Sequence, residues 1–288
     1  MHLSLSINSI VKGVIMTLKN NRIAVIGGGT MGQQIIEKAT INGYTVRVYD
    51  KNLDFLEHFV RRMNRKKKMK GISGEVTLHN NLPEAVKDVD LIIEAVPEKL
   101  ELKREVFSQI DKLAPPNAII ATNSSSLPVS RIEDVVKRTD KVLNIHFYNL
   151  KALPMADIMR GSNTSDDTFE KGIRWVESID ITPIILKKES FGFVFNRMWR
   201  AARKECLKMW AEGIADVETI DKAWKIFTKM GIGPFEIMDN IGLDVTYDVE
   251  MSYYKESGDL NDKPPQKLKE MVDKGLLGRK TRKGFYDY

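Results

Sequence analysis

The sequence predicts an α/β protein, in which a doubly wound parallel sheet is followed by an all-helical C-terminal domain. Between residues 22 and 188, short apolar segments of strand type alternate with longer segments of helical period. Such alternation is typical of a parallel sheet with helices on both faces. After residue 189 only helical periods remain. A chain of 288 residues with 42% hydrophobic content is long enough for two domains, each with its own core.

The first strand, turn and helix are predicted in RIAVIGGGTMGQQIIEKAT. The glycines of a G-x-G-x-x-G pattern, Gly27, Gly29 and Gly32, follow the apolar strand directly and open the helix. The first glycine allows a tight turn and the second lets a pyrophosphate approach the backbone, where the amides at the helix N-terminus hold it. Thr30 and Met31 belong to the same turn, so we predict that they also contact the ligand.

An acidic residue ends the second strand, TVRVYD, about twenty residues after the glycine pattern. Asp50 is placed there to accept both hydroxyls of an adenosine ribose. A carboxylate in this position repels a 2′-phosphate, so the sequence predicts NAD rather than NADP as the cofactor, although Arg47 and Lys51 lie nearby.

The remaining elements follow from the same patterns of period and turn residues. Strands are predicted at VTLHN, DLIIEAV, AIIATNSS, LNIHFYN, PMADIM and TPIILK, and helices at residues 52–70, 82–89, 101–113 and 167–179. The first helix of the second domain is predicted to have one apolar face, formed by Val194, Met198, Ala202, Cys206 and Met209. The predicted division is an N-terminal extension (1–20), a dinucleotide-binding domain (21–188) and a helical C-terminal domain (189–288).

Composition excludes several classes of protein. The net charge of +6 would suit a polyanion, but neither zinc-finger spacing nor an RNA-binding aromatic motif accompanies it, so we expect no nucleic acid and no metal. No apolar run reaches the length of a membrane span, and one cysteine, Cys206, favours the cytoplasm. Residues 1–20 lack the features of a secretory signal. A transit peptide is one interpretation of these residues, and the favoured one is that translation starts at Met16.

Seven segments occur in an order that is typical of one family. They are VIGGGTMG, EAVPEKLELK, TNSSSL, NIHFYN, FGFVFNR, MGIGPFEIMDNIGLD and GRKTRKGFYDY. In these segments the chain resembles the short-chain-length 3-hydroxyacyl-CoA dehydrogenases, which join a Rossmann-type NAD-binding domain to a helical dimerisation domain. The likeness runs from Arg22 to Tyr288. The resemblance implies a homodimer that oxidises a 3-hydroxyacyl thioester to the 3-keto compound in fatty-acid metabolism, with hydride passing to NAD.

The resemblance also implies the catalytic residues. His146 matches the family's general base, and a carboxylate on its other nitrogen, Asp157, would fix the tautomer and stabilise the imidazolium. Ser125 and Asn196 match positions that hydrogen-bond the reacting oxygen. The alternatives are that each of these two caps a turn or helix, that His146 is structural, and that Asp157 is a strand-edge carboxylate.

Further positions match the family's cofactor cleft. Glu98 and Lys103 match positions near the nicotinamide-side ribose in the family. The alternative is that they form a solvent-exposed charged pair at the start of a helix. Asn123 and Asn149 end neighbouring strands, where such folds bind ligands, and Lys280 belongs to the closing motif.

The sequence departs from the family pattern in three places. Leu150 replaces a proline, Asp157 stands one position earlier than the family's glutamate, and the segment between Asp50 and Glu98 is shorter than usual. The basic run on this segment, with Lys66, Lys67 and Lys68, can meet the 3′-phosphate of coenzyme A or form a solvated helix face. Two further functions therefore stay open: a dehydrogenase of a free 3-hydroxy acid, of the carnitine or gulonate type, and an NAD-binding redox sensor without turnover.

Overall fold

The computed structural model describes residues 21–288. The expected N-terminal extension and the start at Met16 lie outside the described residues. Two compact units follow one another along the chain, with the boundary between Val194 and Phe195.

The first unit contains one eight-stranded sheet in the order β3-β2-β1-β4-β5-β6-β7-β8. Its strands are β1 (Arg22–Ile26), β2 (Thr45–Tyr49), β3 (Glu75–Leu78), β4 (Leu91–Glu94), β5 (Ile119–Thr122), β6 (Val142–Phe147), β7 (Met155–Arg160) and β8 (Thr182–Ile185). Its helices are α1 (Thr30–Ile41), α2 (Asp54–Lys70), α3 (Leu82–Val86), α4 (Leu100–Leu113) and α5 (Asp166–Ser178). The order reverses at β1, as in doubly wound folds, so the predicted fold class is confirmed.

Two local features of the sheet differ from the simple alternation. β7 pairs with β6 in antiparallel fashion, because the link of residues 148–154 is too short for a helical crossover. β8 is parallel to β7, from which α5 separates it in the chain. The helix predicted over residues 82–89 ends at Val86, because Lys87 is already extended and Asp88 adopts a left-handed backbone with φ of 55°.

Helices cover both faces of this sheet, and β1 shows how its sequence allows it. Ile23 and Val25 belong to the core on one face, while Ala24 and Ile26 belong to the core on the other. Because side chains alternate along a strand, an unbroken apolar run is what a strand buried on both faces requires.

The second unit is helical. It comprises α6 (Phe195–Ala211), α7 (Val217–Thr228), α8 (Pro234–Ile241), α9 (Leu243–Ser257) and α10 (Gln266–Asp273). The predicted apolar face of its first helix is partly wrong. Met198 is 62% exposed, whereas Arg203, Cys206 and Leu207 are the buried residues of α6. Arg203 is buried because it pairs with the buried Glu250 of α9, so an ion pair occupies a position that hydrophobicity alone would assign to solvent.

Residues 278–288 are here called the C-terminal tail. Hydrogen bonds hold this tail to two aspartates of the second unit. Asp239 of α8 accepts hydrogen bonds from the amides of Phe285 and Tyr286 at 3.0 and 2.9 Å. Asp221 of α7 accepts one from the Tyr286 hydroxyl at 2.9 Å. Among the helices formed by residues 21–288, we find none with the length and apolar character needed to cross a bilayer.

Candidate active site

The glycine turn between β1 and α1 has room only for glycine at two of its positions. Gly27 has a φ of +102°, and a Cβ there would lie 2.6 Å from the backbone of Ala95. A Cβ on Gly32 would lie 2.0 Å from the carbonyl oxygen of Gly27. A Cβ on Gly29 would meet nothing within 4 Å, and Gly29 caps α1 without a side-chain hydrogen bond. The N-terminus of α1 is therefore open and can accept an anionic ligand.

Asp50 lies directly after β2 and beside this turn. Its Oδ2 accepts a hydrogen bond from the amide of Gly28 at 2.7 Å, and its Oδ1 accepts one from the amide of Asn52 at 2.9 Å. These bonds orient the carboxylate toward the same opening that the glycine turn lines. The turn and the acid together fit an adenosine ribose and its pyrophosphate.

A cavity of about 680 Å³ lies at the carboxyl ends of the strands of the first unit. The predicted site residues that line it are Gly27, Gly29, Thr30, Met31, Asp50, Glu98, Lys103, Asn123, Ser125 and His146. Gly32 lies beneath the turn and supports it. The fold thus brings the predicted residues together from the ends of five different strands, which is where doubly wound folds bind ligands.

Lys103 is buried between two carboxylates. Its Nζ lies 2.8 Å from Glu94 Oε1 and 3.2 Å from Glu98 Oε2. Glu94 also accepts a hydrogen bond from the Thr122 hydroxyl at 2.7 Å. Burial raises the pKa of Glu94, and the ammonium of Lys103 opposes that shift. The alternative of a solvated pair is therefore wrong for Lys103, which is 1% exposed.

Glu98 links α4 to the serine-rich turn after β5. Its Oε1 accepts hydrogen bonds from the amides of Ser125 and Ser126 at 3.0 and 2.9 Å, and from the hydroxyls of Ser124 and Ser126 at 2.5 and 2.8 Å. Burial alone would raise the pKa of Glu98, but Lys103 and these donors outweigh it and lower the pKa. Glu98 is therefore an anion whose hydrogen bonds fix the shape of this turn. The turn places Ser125 in the lining of the cavity.

His146 and Asp157 face each other across the antiparallel pair of β6 and β7. The distance between His146 Nδ1 and Asp157 Oδ2 is 3.4 Å, and both side chains are buried. The Tyr148 hydroxyl donates a hydrogen bond to the same Oδ2. The ring of His146 stacks on that of Phe193, with centroids 4.9 Å apart. The alternative of a strand-edge carboxylate is wrong, because β7 lies between β6 and β8 and Asp157 is fully buried.

Two asparagines predicted for the cofactor cleft differ in their placement. Asn123 lines the cavity, and its Oδ1 accepts a hydrogen bond from the amide of Phe147 at 2.9 Å, which ties the end of β5 to β6. Asn149 is exposed in the turn after β6 and is not among the residues that line the cavity. Its Oδ1 accepts a hydrogen bond from the amide of Lys151, so its observed contact is one within the turn.

The predicted lysines of the basic run lie on α2, outside the cavity lining. Lys66 pairs with Glu37 of α1 at 2.5 Å, Lys67 is half-buried and Lys68 is exposed.

The remaining predicted residues belong to the helical unit. Asn196 is the second residue of α6, and the Lys280 ammonium pairs with the carboxylate of Asp244.

Sequence reasoning missed two residues of the site. Glu94 occupies a strand that is otherwise apolar, and a charge in such a strand requires a partner, so LIIEAV contained a usable signal. Tyr148 lies two residues after His146, and in an extended strand residues two apart point to the same face. That spacing placed a hydroxyl beside the base.

Comparison with known proteins matches both units of the chain. The NAD-binding domain model of 3-hydroxyacyl-CoA dehydrogenase matches residues 22–190, and the C-terminal domain model of the same family matches residues 192–288. A 3-hydroxybutyryl-CoA dehydrogenase from Clostridioides difficile is 36% identical over 279 residues, which cover 93% of this chain and 99% of that protein.

Solved structures show the same likeness. The (S)-3-hydroxybutyryl-CoA dehydrogenase from Ralstonia eutropha has a TM-score of 0.83 at 30% identity, covering 93% of this chain and 99% of that one. A diketoreductase that acts on dicarbonyl compounds has a TM-score of 0.81 at 34% identity, covering 93% and 98%. With both family domains matched in order along its length, the chain belongs to the 3-hydroxyacyl-CoA dehydrogenase family and is an NAD-dependent oxidoreductase.

Proposed function

We propose that the protein oxidises the 3-hydroxyl of a short-chain 3-hydroxyacyl-CoA, such as 3-hydroxybutyryl-CoA, to the 3-keto thioester, with His146 as the general base. The observation that carries this proposal is the position of His146 in the lining of the cavity, with Asp157 directly behind it on the neighbouring strand. An imidazole with a carboxylate on its second nitrogen is suited to exchange a proton with a hydroxyl group.

The roles of the residues follow from where they lie. The Nε2 of His146 takes the hydroxyl proton, while Asp157 on Nδ1 holds the tautomer and stabilises the imidazolium. NAD bound at the glycine turn supplies the acceptor for the hydride that leaves the carbinol carbon. Ser125 and Asn123 line the same cavity, and the Ser125 hydroxyl is our candidate for orienting the reacting oxygen. The proposed roles of Asn149, Asn196 and Lys280 rest on the family pattern alone.

A spectrophotometric assay tests the proposal. We expect NADH to be oxidised in the presence of acetoacetyl-CoA, the product of the forward reaction, and NAD to be reduced with 3-hydroxybutyryl-CoA. Turnover of acetoacetyl-CoA but not of free acetoacetate would support a thioester substrate. If NADH binds but neither the CoA esters nor the free acids carnitine and gulonate are turned over, the redox-sensor hypothesis would replace the enzyme.

A second candidate substrate is a free 3-hydroxy acid, and one observation favours it. In α2, where the basic run would meet coenzyme A, Lys66 is already paired with Glu37, so the site for the 3′-phosphate depends on the lysines that remain. Under this alternative, carnitine or gulonate would reduce NAD faster than 3-hydroxybutyryl-CoA at the same concentration.

We also propose that the helical unit forms a homodimer. Three apolar side chains near the end of α7 are exposed: Ile226, Phe227 and Met230, with Phe227 at 89%. Exposed apolar clusters of this kind mark association surfaces. Light scattering is expected to give twice the mass of 32.8 kDa, and Phe227→Glu is expected to shift it toward the monomer. We propose a cytoplasmic location, because the single cysteine of the sequence, Cys206, is buried and free, and a chain without disulfides fits a reducing compartment. Cell fractionation tests this.

A further inference from the structure

The carboxylate behind the candidate base has two hydrogen-bond donors on one oxygen. Asp157 Oδ2 receives the Tyr148 hydroxyl and faces His146 Nδ1 at 3.4 Å. Among the described residues, Asp157 Oδ1 has no hydrogen-bond partner. A buried carboxylate is costly unless donors compensate it, so the Tyr148 hydroxyl supplies a substantial part of what keeps this one in place.

The geometry of the two strands explains why one acid serves both donors. His146 and Asp157 are direct cross-strand partners, and Tyr148 follows His146 by two residues, so all three point to the same side of the sheet. The rings of His146 and Tyr148 also pack edge to face, with centroids 4.5 Å apart. The tyrosine therefore contacts both members of the pair without lying in the cavity lining.

The His146–Asp157 distance shows what the tyrosine adds. A separation of 3.4 Å is longer than the 2.7–3.2 Å typical of N–H···O hydrogen bonds. An aspartate has one methylene fewer than a glutamate, so its carboxylate stays closer to its own strand and has fewer positions from which it can reach His146. A second anchor on the same oxygen restricts the side chain to the rotamer that faces the imidazole.

We propose that Tyr148 is a positioning residue for the reaction: its hydroxyl holds the short Asp157 side chain toward His146. This inference rests on the proposed role of His146. Tyr148 acts through Asp157, since its hydroxyl meets the carboxylate and not the cavity.

The test begins with Tyr148→Phe, which removes only the hydroxyl. We expect kcat with acetoacetyl-CoA to fall about 3- to 10-fold, the rate equivalent of one hydrogen bond. The KM for NADH should stay unchanged. Tyr44→Phe is a matched control, because Tyr44 is also buried and its hydroxyl bonds Ser178 at 2.6 Å, outside the cavity. This control is expected to leave kcat unchanged.

Two double variants separate positioning from a merely structural role. In an Asp157→Asn background, Tyr148→Phe should have almost no further effect on kcat, because its partner for positioning is already lost. Combining Tyr148→Phe with Asp157→Glu should recover most of the lost turnover, since the longer acid reaches His146 without the second anchor.

The outcomes distinguish this inference from the proposed function. If His146→Gln abolishes turnover while Tyr148→Phe keeps the wild-type kcat, the inference is overturned and the function stands. If Tyr148→Phe lowers kcat equally in the wild-type and Asp157→Asn backgrounds, the tyrosine does not act through Asp157, and the inference is also overturned. If the wild-type protein turns over none of the substrates, the proposed function fails first.

Discussion

Each functional side chain of the candidate site is held by a group from another part of the chain. His146 has Asp157 behind it, and the Asp50 carboxylate is held by the amide of Gly28, which is 22 positions away in sequence. Side chains fixed in this way need little reorganisation when a substrate binds.

Replacing the candidate base is the first prediction at this scale. His146→Gln is expected to lower turnover by roughly 10² to 10⁴, the usual contribution of general acid and base catalysis, while NADH binding is retained. Steady-state kinetics and NADH fluorescence measure the two effects. His79→Gln is the control, because His79 bonds Thr77 and is not among the residues lining the cavity.

Replacing its partner is the second prediction. Asp157→Asn is expected to lower turnover about 10- to 100-fold, the rate equivalent of one hydrogen bond to a charged group. Near-native turnover of the Asp157→Asn variant would mean that the pair seen in the structure has no catalytic role.

Cofactor selection is the third prediction. An acid at the end of the second strand of such a fold repels a 2′-phosphate, so with Asp50 in this position NADH is expected to be preferred over NADPH by at least about tenfold in kcat/KM, or ~1.4 kcal/mol. Asp50→Asn should narrow this preference. Asp54→Asn, which removes the same charge from the first residue of α2, should keep it. Equal use of both cofactors by the wild-type protein would contradict the prediction.

At the scale of elements, α2 and the C-terminal tail are the two segments whose contacts have testable consequences. Helix α2 places its lysines on a surface next to α1 through the Lys66–Glu37 pair. The C-terminal tail is held by Asp239, which is 1% exposed and accepts hydrogen bonds from two amides and from the Tyr288 hydroxyl. Burial and this carboxylate raise the pKa of Tyr288 to about 12.

The fourth prediction concerns the lysines of α2. Replacing Lys66, Lys67 and Lys68 with Gln is expected to raise the KM for a CoA ester and to weaken its salt dependence, because the attraction to the 3′-phosphate is lost. The KM for NADH should barely change. A variant with Lys112, Lys137 and Lys171 replaced by Gln removes the same charge from exposed positions of the same unit. If both triple variants behave alike, the α2 lysines form a plain solvated face.

The fifth prediction concerns the anchor of the C-terminal tail. Asp239→Ala is expected to lower the free energy of unfolding by about 2 to 4 kcal/mol, because two partly buried amides and a hydroxyl lose their buried acceptor. Urea denaturation measures the change. Asp287→Ala, in the same tail, removes an exposed carboxylate 3.6 Å from Lys283 and should leave the stability nearly unchanged. A stable Asp239→Ala variant would show that the tail contributes little.

For the whole molecule, ionised carboxylates stabilise both units. The pKa of Asp111 in the first unit is lowered: burial opposes the shift, but the amide of Lys137 and the guanidinium of Arg138 outweigh it. The pKa of Asp262 in the second unit lies well below its ordinary value, chiefly through Lys204. A carboxylate with a lowered folded-state pKa stabilises the fold above its unfolded pKa near 4, and this contribution is lost as pH falls through the folded pKa. Stability of the native protein should therefore decrease below about pH 5.

The sequence by itself determined the order of strands and helices, the glycine turn with Asp50, and the family. These features depend on local properties: runs of apolar residues, positions that only glycine can occupy, and motifs whose spacing is set within one βαβ unit. For Lys103, by contrast, the sequence left open whether it was solvated, because its partner Glu94 lies on another element and the burial of both depends on packing.

Only the tertiary structure decided whether Asp157 reaches His146. The two residues lie on different strands, and the side chains of a strand alternate between its two faces. A register shift of one residue would have turned the carboxylate to the opposite side of the sheet. The pairing of β6 with β7 sets His146 directly opposite Asp157, and it also brings in Tyr148, because a strand's register places every second side chain on the same face.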